Sequence, residues 1–419
     1  MQLNRRHLLL SGLSLPLASY AQTPSGNPPR WIVLLLRGAI DGLSVCAPYS
    51  ERAYRDDRPS IALPVPGQEG GLIDLDGHFG LHPALSSLQP LWTAGQLGFV
   101  QACGQARAGR SHFEAQDELE SGTPGVKSTG DGWLNRLLQL QAGPPDTVRA
   151  VYSGAMRPKL LGGAAGAAVA ALPGGAVGRG ANREARNARR AGPAPEGLEK
   201  LYEQDPRYAK AWADAQRGRE QMAGALQAGS MQEPAMLDRE MQAASNGAPP
   251  PGSFPDAARR LAQVMRADRN LQFACLEIGG WDTHARQGAS QGQLAGKLAP
   301  LGQGLVQLAR ELGPIWNDTV VTVVSEFGRT VRENGTGGTD HGHGNALWLL
   351  GGRIAGGQVH GRWPTLDASA RFEGRDLEIT TDYRAVMAGV AAQHLRLKDG
   401  ALAQVFPGFS GAPLQVMRA

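Results

Sequence analysis

The sequence predicts an α/β fold: a doubly wound, mostly parallel sheet flanked by helices, interrupted by a helical and low-complexity insertion. Three observations carry this. The wholly apolar run 31–36 (WIVLLL) and the predominantly apolar runs 271–278 (LQFACLEI) and 319–325 (TVVTVVS) have the composition of strands buried on both faces. Helical stretches at 255–268 and 292–312 alternate with them, the order that builds a parallel sheet covered on both sides. A 419-residue chain that is 42% hydrophobic can also bury a large core, and an α/β domain reaches this length with insertions.

Taken in order, the chain opens with an export signal over 1–21. Paired Arg5 and Arg6 precede the weakly apolar LLLSGLSLPLA and a small-x-small end at Ser19-Tyr20-Ala21. The run is too short to stay as a membrane span, and the arginine pair points to the twin-arginine export machinery, hence to a periplasmic or secreted product. Removing 1–21 takes away two arginines and no acid, so the formal charge of +4 falls to +2. That near-neutral balance excludes nucleic acid as the expected partner. Cys46, Cys103 and Cys275 are too few and too scattered for a disulfide framework, and none has C-x-x-C spacing.

Residues 22–419 are expected to form one domain. After the first strand come Arg37 and Asp41; a second strand at 97–102 leads to Arg110-Ser111-His112, where Ser111 and Glu114 have capping-box spacing at a helix start. Another strand is expected at 149–153. From 162 to 197 the chain turns to Ala, Gly and Arg and reads as a mobile insertion. A helical cap is expected over about 197–254, its end (244–254) a linker. Strand 346–351 and a helix at 380–395, capped by Thr380 or Thr381, complete the pattern.

The chemistry gathers at the strand ends. In open parallel sheets ligands sit beyond the carboxyl edge. Asp41, Ser111, Asp282 with His284, and Glu326 each follow a different expected strand. The loop GTGGTDHGHGNA (335–346) adds Asp340, His341 and His343 on the connection after Glu326. Histidines and carboxylates in this number suit one or two divalent ions of the zinc or manganese type, not an all-oxygen calcium cage. The expected metal set is Asp41, Asp282, His284, Glu326, Asp340, His341 and His343. A serine at a helix N-terminus is placed to attack phosphorus or sulfur, with Arg110 and His112 beside it and Arg37 available to substrate oxygens. A helix cap explains the same serine. His78, His82 and His360 read as structural. A nucleotide-dependent oxidoreductase is disfavoured, because no G-x-G-x-x-G follows the first strand.

With these residues assembled, the segments LLLRGAIDGL, LDGHFGLHPAL, GRSHFEAQDELESG, GWLNR, GGWDTH, VSEFGRTVRENGTGGTDHGHGN, GRWP and TTDYR resemble the exported bacterial family called domain of unknown function 1501. That family looks like a branch of the alkaline phosphatase and sulfatase superfamily. The resemblance implies an alkaline-phosphatase-like sheet with Asp41 and Glu326 at one metal site. It implies Asp282, His284 and a histidine of the DHGHG loop at the other, with Ser111 as nucleophile. The chain departs from the superfamily pattern at Asp282-x-His284 and Glu326-Phe327. The expected function is hydrolysis of a small-molecule or polymer phosphate or sulfate ester. The alternative is a non-catalytic envelope binding or scaffold protein that keeps the fold and a metal site.

Overall fold

The apolar-rich runs become strands because both of their faces are covered. In β1 (Arg30–Leu36), Ile32, Leu34 and Leu36 enter one core, while Trp31, Val33 and Leu35 enter another on the opposite face. Successive side chains of a strand point to opposite faces, so an unbroken apolar string fits a two-sided burial. The computed structural model describes residues 27–105, 109–126, 129–141, 143, 147–154, 156–173 and 233–418. The export signal, most of the insertion and the cap helices expected before 230 lie outside the described residues.

The further strands are β2 (Cys46–Ala47), β3 (Ile73–Asp74), β4 (Gly80–Leu81), β5 (Leu97–Gly104), β6 (Ala150–Tyr152), β7 (Val169–Ala171), β8 (Phe273–Ile278), β9 (Thr319–Ser325), β10 (Asn345–Gly351), β11 (Val359–His360) and β12 (Thr381–Asp382). The main sheet runs β11-β5-β10-β9-β1-β8-β6-β7, with β12 also on β5; β2, β4 and β3 make a small antiparallel sheet. β1 pairs in parallel with both β8 and β9, with Leu36 level with Ile278 and Ser325. Their carboxyl ends therefore finish side by side.

One face is covered by the helices Phe254–Ala267 and Gln293–Leu312, the latter burying Leu294, Leu298, Leu301, Leu305, Leu308 and Leu312 at three- and four-residue spacing. The other carries Trp133–Leu140, Tyr383–Gln393 and Asp399–Val405. Among the described residues no helix is long and apolar enough to cross a membrane.

Several details differ from expectation. β10 is antiparallel to both β9 and β5, because the chain after β9 returns through a loop rather than a crossover helix. The helix at 383–393 is capped by Asp382, whose side chain accepts from the Arg384 N–H; Thr381 is drawn instead into β12 beside Cys103. Residues 166–171, expected inside a mobile insertion, form a 3-10 turn and β7, which pairs with β6. The expected linker packs down: Ser245, Pro251 and Phe254 are buried, and Ser245 Oγ accepts from Gly280 N–H at 2.8 Å.

Candidate metal centre

Two loops and one helix start deliver the site. Helix His112–Ser121 begins after β5 and brings His112; the turn after β8 brings Asp282 and His284; the loop from β9 back to β10 brings Asp340 and His341. Tight backbone approaches hold these segments together. A Cβ on Gly342 would lie 2.4 Å from the Arg329 backbone, and one on Gly338 the same distance from the His284 backbone. Only glycine lets these chains pass.

At the centre, His341 Nε2 lies 3.0 Å from His112 Nε2, 3.0 Å from His284 Nε2 and 3.3 Å from Asp282 Oδ1. His284 Nε2 is 3.0 Å from Asp282 Oδ1, and His112 Nε2 is 3.4 Å from Asp282 Oδ2. Among the described residues, His112, Asp282 and His341 form a group whose ligand atoms all fall within 4.8 Å of one another.

The other ring nitrogens fix the tautomers. His341 Nδ1 meets the Arg110 carbonyl oxygen at 2.8 Å; a carbonyl only accepts, so Nδ1 carries the proton. His112 Nδ1 donates to Glu326 Oε1 at 2.8 Å, and His284 Nδ1 to Asp340 Oδ1 at 3.1 Å. Neutral rings held this way aim three Nε2 lone pairs at one point, where they repel unless a cation lies between them. Nitrogens around a tetrahedral zinc stand roughly 3.3 Å apart, given bonds of about 2.0–2.1 Å. The donor set therefore fits an ion. A protein carboxylate or carbonyl on the far nitrogen is the usual support of a metal-bound imidazole.

Electrostatics agree with this chemistry. Burial opposes the charge on Asp282, yet the three imidazoles packed against it and the charge of Arg329 hold its carboxyl far below the usual range. Burial lowers the His112 pKa, but Asp282 and Glu326 reverse this and raise it to about 9. Between two carboxylates and without a cation, the ring takes a proton; a divalent ion would displace it. Arg329, itself buried, donates to Asp282 Oδ1 and to Thr339.

Not every expected ligand joins the cluster. Asp41 is 0% exposed and its oxygens take bonds from Arg58 Nη1 (2.7 Å) and Nη2 (3.1 Å), Ser44 Oγ (2.7 Å) and Gln287 Nε2 (2.7 Å). The carboxylate is saturated by a guanidinium, which corrects its place in the metal set. Glu326 Oε1 accepts from Gly38 N–H (2.8 Å), Gln116 Nε2 (2.9 Å) and His112, while Oε2 accepts from Ser325 Oγ (3.0 Å). It supports His112 rather than facing the ligand atoms. Asp340 likewise holds His284 and Asn334. His343 turns away to stack on Phe372 at 4.0 Å, and burial keeps its pKa below the ordinary value.

The expected anion-binding arginines are engaged. Arg110 pairs with Asp376 and Glu373, and Arg37 is buried between Glu120 and Glu277 on the floor of a cavity of about 300 Å³ behind the helix His112–Ser121. Ser111 is exposed and its side chain makes no capping bond, so the expected capping box does not form. Its two neighbours both touch the cluster, Arg110 through its carbonyl and His112 through its ring. Asp117 pairs with Lys159, away from the cluster. Gln116 and Asp376 were not singled out by the sequence, and Arg329, read there as a partner for Glu326, pairs with Asp282 instead. An amide inside a helix and charges in loops carry no spacing signal.

A family model described as "Protein of unknown function (DUF1501)" matches residues 28–406. The chain belongs to this family. No curated protein matches this DUF1501 chain. Among solved structures, it is similar to a protein of the alkaline phosphatase superfamily from Vibrio parahaemolyticus (TM-score 0.34, 11% identity, 80% of this chain and 63% of that one). It is also similar to the lipoteichoic acid synthase LtaP from Listeria monocytogenes (TM-score 0.37, 9% identity, 89% and 73%). The DUF1501 chain thus spans 63% of the Vibrio protein's length. Likeness at this level transfers no activity, ion or substrate.

Proposed function

We propose that this DUF1501 protein is an exported metal-dependent hydrolase of phosphate or sulfate esters. His112, Asp282, His284 and His341 would hold a divalent ion of the zinc or manganese type. The observation that carries the reading is the convergence of three Nε2 atoms and a carboxylate, with every Nδ1 tied to an acceptor. A single ion is the better account, since Asp41 and Glu326 have their oxygens occupied by protein donors.

When bound, such an ion polarises the ester oxygens and lowers the pKa of a nearby hydroxyl or water. Ser111 is the nucleophile in this reading. Its Oγ forms the bond to phosphorus or sulfur as the ester C–O oxygen leaves with its electron pair and takes up a proton. Water then cleaves the Ser111 ester, releasing phosphate or sulfate and restoring the hydroxyl. A helix start is a favourable setting for an anion, which supports a phosphate or sulfate beside Ser111 in this reading. The signal at 1–21 supports a periplasmic or secreted location and the twin-arginine export machinery as partner; the mature charge supports no nucleic-acid partner.

A second reading is a non-catalytic envelope module that uses one ion for binding. The closure of the second carboxylate set, Asp41 against Arg58, favours it. Elemental analysis and ester turnover separate the two. The hydrolase reading expects about one equivalent of zinc or manganese in the wild type, lost in His341→Ala and kept in His343→Ala. It also expects hydrolysis of p-nitrophenyl phosphate or sulfate that Ser111→Ala removes. Bound metal with no turnover leaves the binding module in front; a folded wild type that takes up no ion sinks both.

A further inference from the structure

We infer that Asp376 is a positioning residue for the metal centre, acting on His341 through two arginines. The inference rests on the metal reading for its consequence, but not for its geometry. Asp376 is 0% exposed and comes from a hairpin whose Phe372 and Asp376 exchange backbone hydrogen bonds at 3.0 Å. Its Oδ2 accepts from Arg110 Nε (3.1 Å) and Nη2 (2.6 Å). From the other side, Arg375 Nε donates to Oδ1 at 2.9 Å and Nη2 to Oδ2 at 3.1 Å.

Each arginine then reaches the same histidine by a different route. The carbonyl of Arg110 accepts from His341 Nδ1 at 2.8 Å, and Arg375 Nη2 donates to the His341 carbonyl oxygen at 2.8 Å. One arm fixes the ring tautomer and the other fixes the main chain that carries the ring. A buried carboxylate bonded to two guanidinium groups is a strong, charge-assisted junction. Two further contacts hold the hairpin in register: Thr330 bridges Asp376, and Phe372 stacks on His343 with the Arg110 guanidinium 5.9 Å above its ring.

Glu373 provides the internal control. It pairs with Arg110 Nη2 at 2.6 Å from the exposed side and reaches neither Arg375 nor His341 in any hydrogen bond among the described residues. Arg110 keeps Asp376 when Glu373 is lost, so Glu373→Gln should leave His341 as it is. Arg375 has a half-exposed side chain, so Arg375→Gln removes one arm with little risk to folding.

The test is histidine-selective ¹⁵N labelling of the full chain, read at one pH, with zinc affinity measured on the same samples by chelator competition. In the wild type and in Glu373→Gln, the His341 ring nitrogens should report the Nδ1–H tautomer. Asp376→Asn should shift the population toward Nε2–H, and Arg375→Gln should move the His341 ring resonances as its main chain is released. Both should weaken zinc binding by about 10- to 100-fold, the usual loss for a supporting partner of a metal-bound imidazole. Unchanged ring shifts in Arg375→Gln and in a folded Asp376→Asn overturn the inference, whether or not zinc binds. Equal shifts in Glu373→Gln overturn it too, since loss of any nearby charge would then suffice. A wild type with the Nδ1–H tautomer but no zinc affinity refutes the metal reading and leaves the tautomer result to judge Asp376 alone.

Discussion

Replacing Glu326 by glutamine tests whether it supports the centre or ligates the ion. Glu326 is 2% exposed, and its Oε1 takes three donors: Gly38 N–H, Gln116 Nε2 and His112 Nδ1, at 2.8, 2.9 and 2.8 Å. A glutamine can keep all three bonds by placing its carbonyl at that position. Its amide nitrogen then meets Ser325 Oγ, whose one proton can turn from the Glu326 position to the Leu36 carbonyl and leave a lone pair to accept. The geometry survives while the charge behind His112 is lost. Removing a supporting carboxylate typically costs about 10- to 100-fold in metal affinity, or about 1.4 to 2.7 kcal/mol. Glu326→Ala is a different perturbation, because it strands three buried donors at about 1–3 kcal/mol each. The assay is zinc titration of the purified apoprotein beside its thermal unfolding. Wild-type affinity in folded Glu326→Gln refutes the supporting role. Complete loss of binding in the same folded variant shows that Glu326 is itself a ligand.

Two further outcomes follow from buried groups away from the histidine cluster. Arg58→Met leaves the fully buried Asp41 carboxylate without its guanidinium and is expected to cost about 3–5 kcal/mol in urea unfolding, while the folded fraction keeps its one equivalent of metal; a loss below about 1 kcal/mol would contradict the ion-pair assignment. His82 accepts from Ala84 N–H through Nδ1 and donates from Nε2 to the Ala289 carbonyl, so it is held neutral, and burial lowers its pKa from 6.5 to about 4. A base whose folded pKa is depressed contributes fully above the unfolded value and loses that contribution as pH falls through 6.5 toward 4. About 3 kcal/mol should disappear across that window and His82→Asn should flatten the profile; parallel profiles for the two proteins would rule this out.

The elements were legible where one physical demand dominated. β1 from Trp31 to Leu36 is apolar without a break and β9 is dominated by valine, because two cores meet both strands, and the sequence shows that demand directly. The long helix Gln293–Leu312 declared itself by leucine spacing. The direction of β10 was not visible, since an apolar run reads the same in either sense and only the absence of a crossover helix decides it. At the site, the segments carrying His112, Asp282, His284 and His341 were all identifiable from their place after strands. What each carboxylate does was not. Asp41 and Asp282 follow β1 and β8 in similar turns, yet one meets Arg58 and the other three imidazoles. His341 and His343 lie two residues apart, and the partner that draws His343 away, Phe372, comes from a hairpin with no sequence link to the loop. Partner choice among buried charges is a tertiary property.

The return of the chain from β9 into the adjacent, oppositely directed β10 also has a bearing on how such a site can change. Both ends of the loop that carries Asp340 and His341 are anchored on neighbouring strands, with Arg329 bridging His341 near its base and Gly335 and Thr336 exposed at its tip. Lengthening a flexible loop between fixed ends costs only about 0.6 kcal/mol per doubling. Residues can therefore be inserted or exchanged at the tip without shifting strand register or disturbing the two cores. The tip is nevertheless coupled to one imidazole, since Thr336 Oγ1 donates to the His284 carbonyl at 2.7 Å, so a change there reaches His284 while His341 stays fixed at the base of the loop.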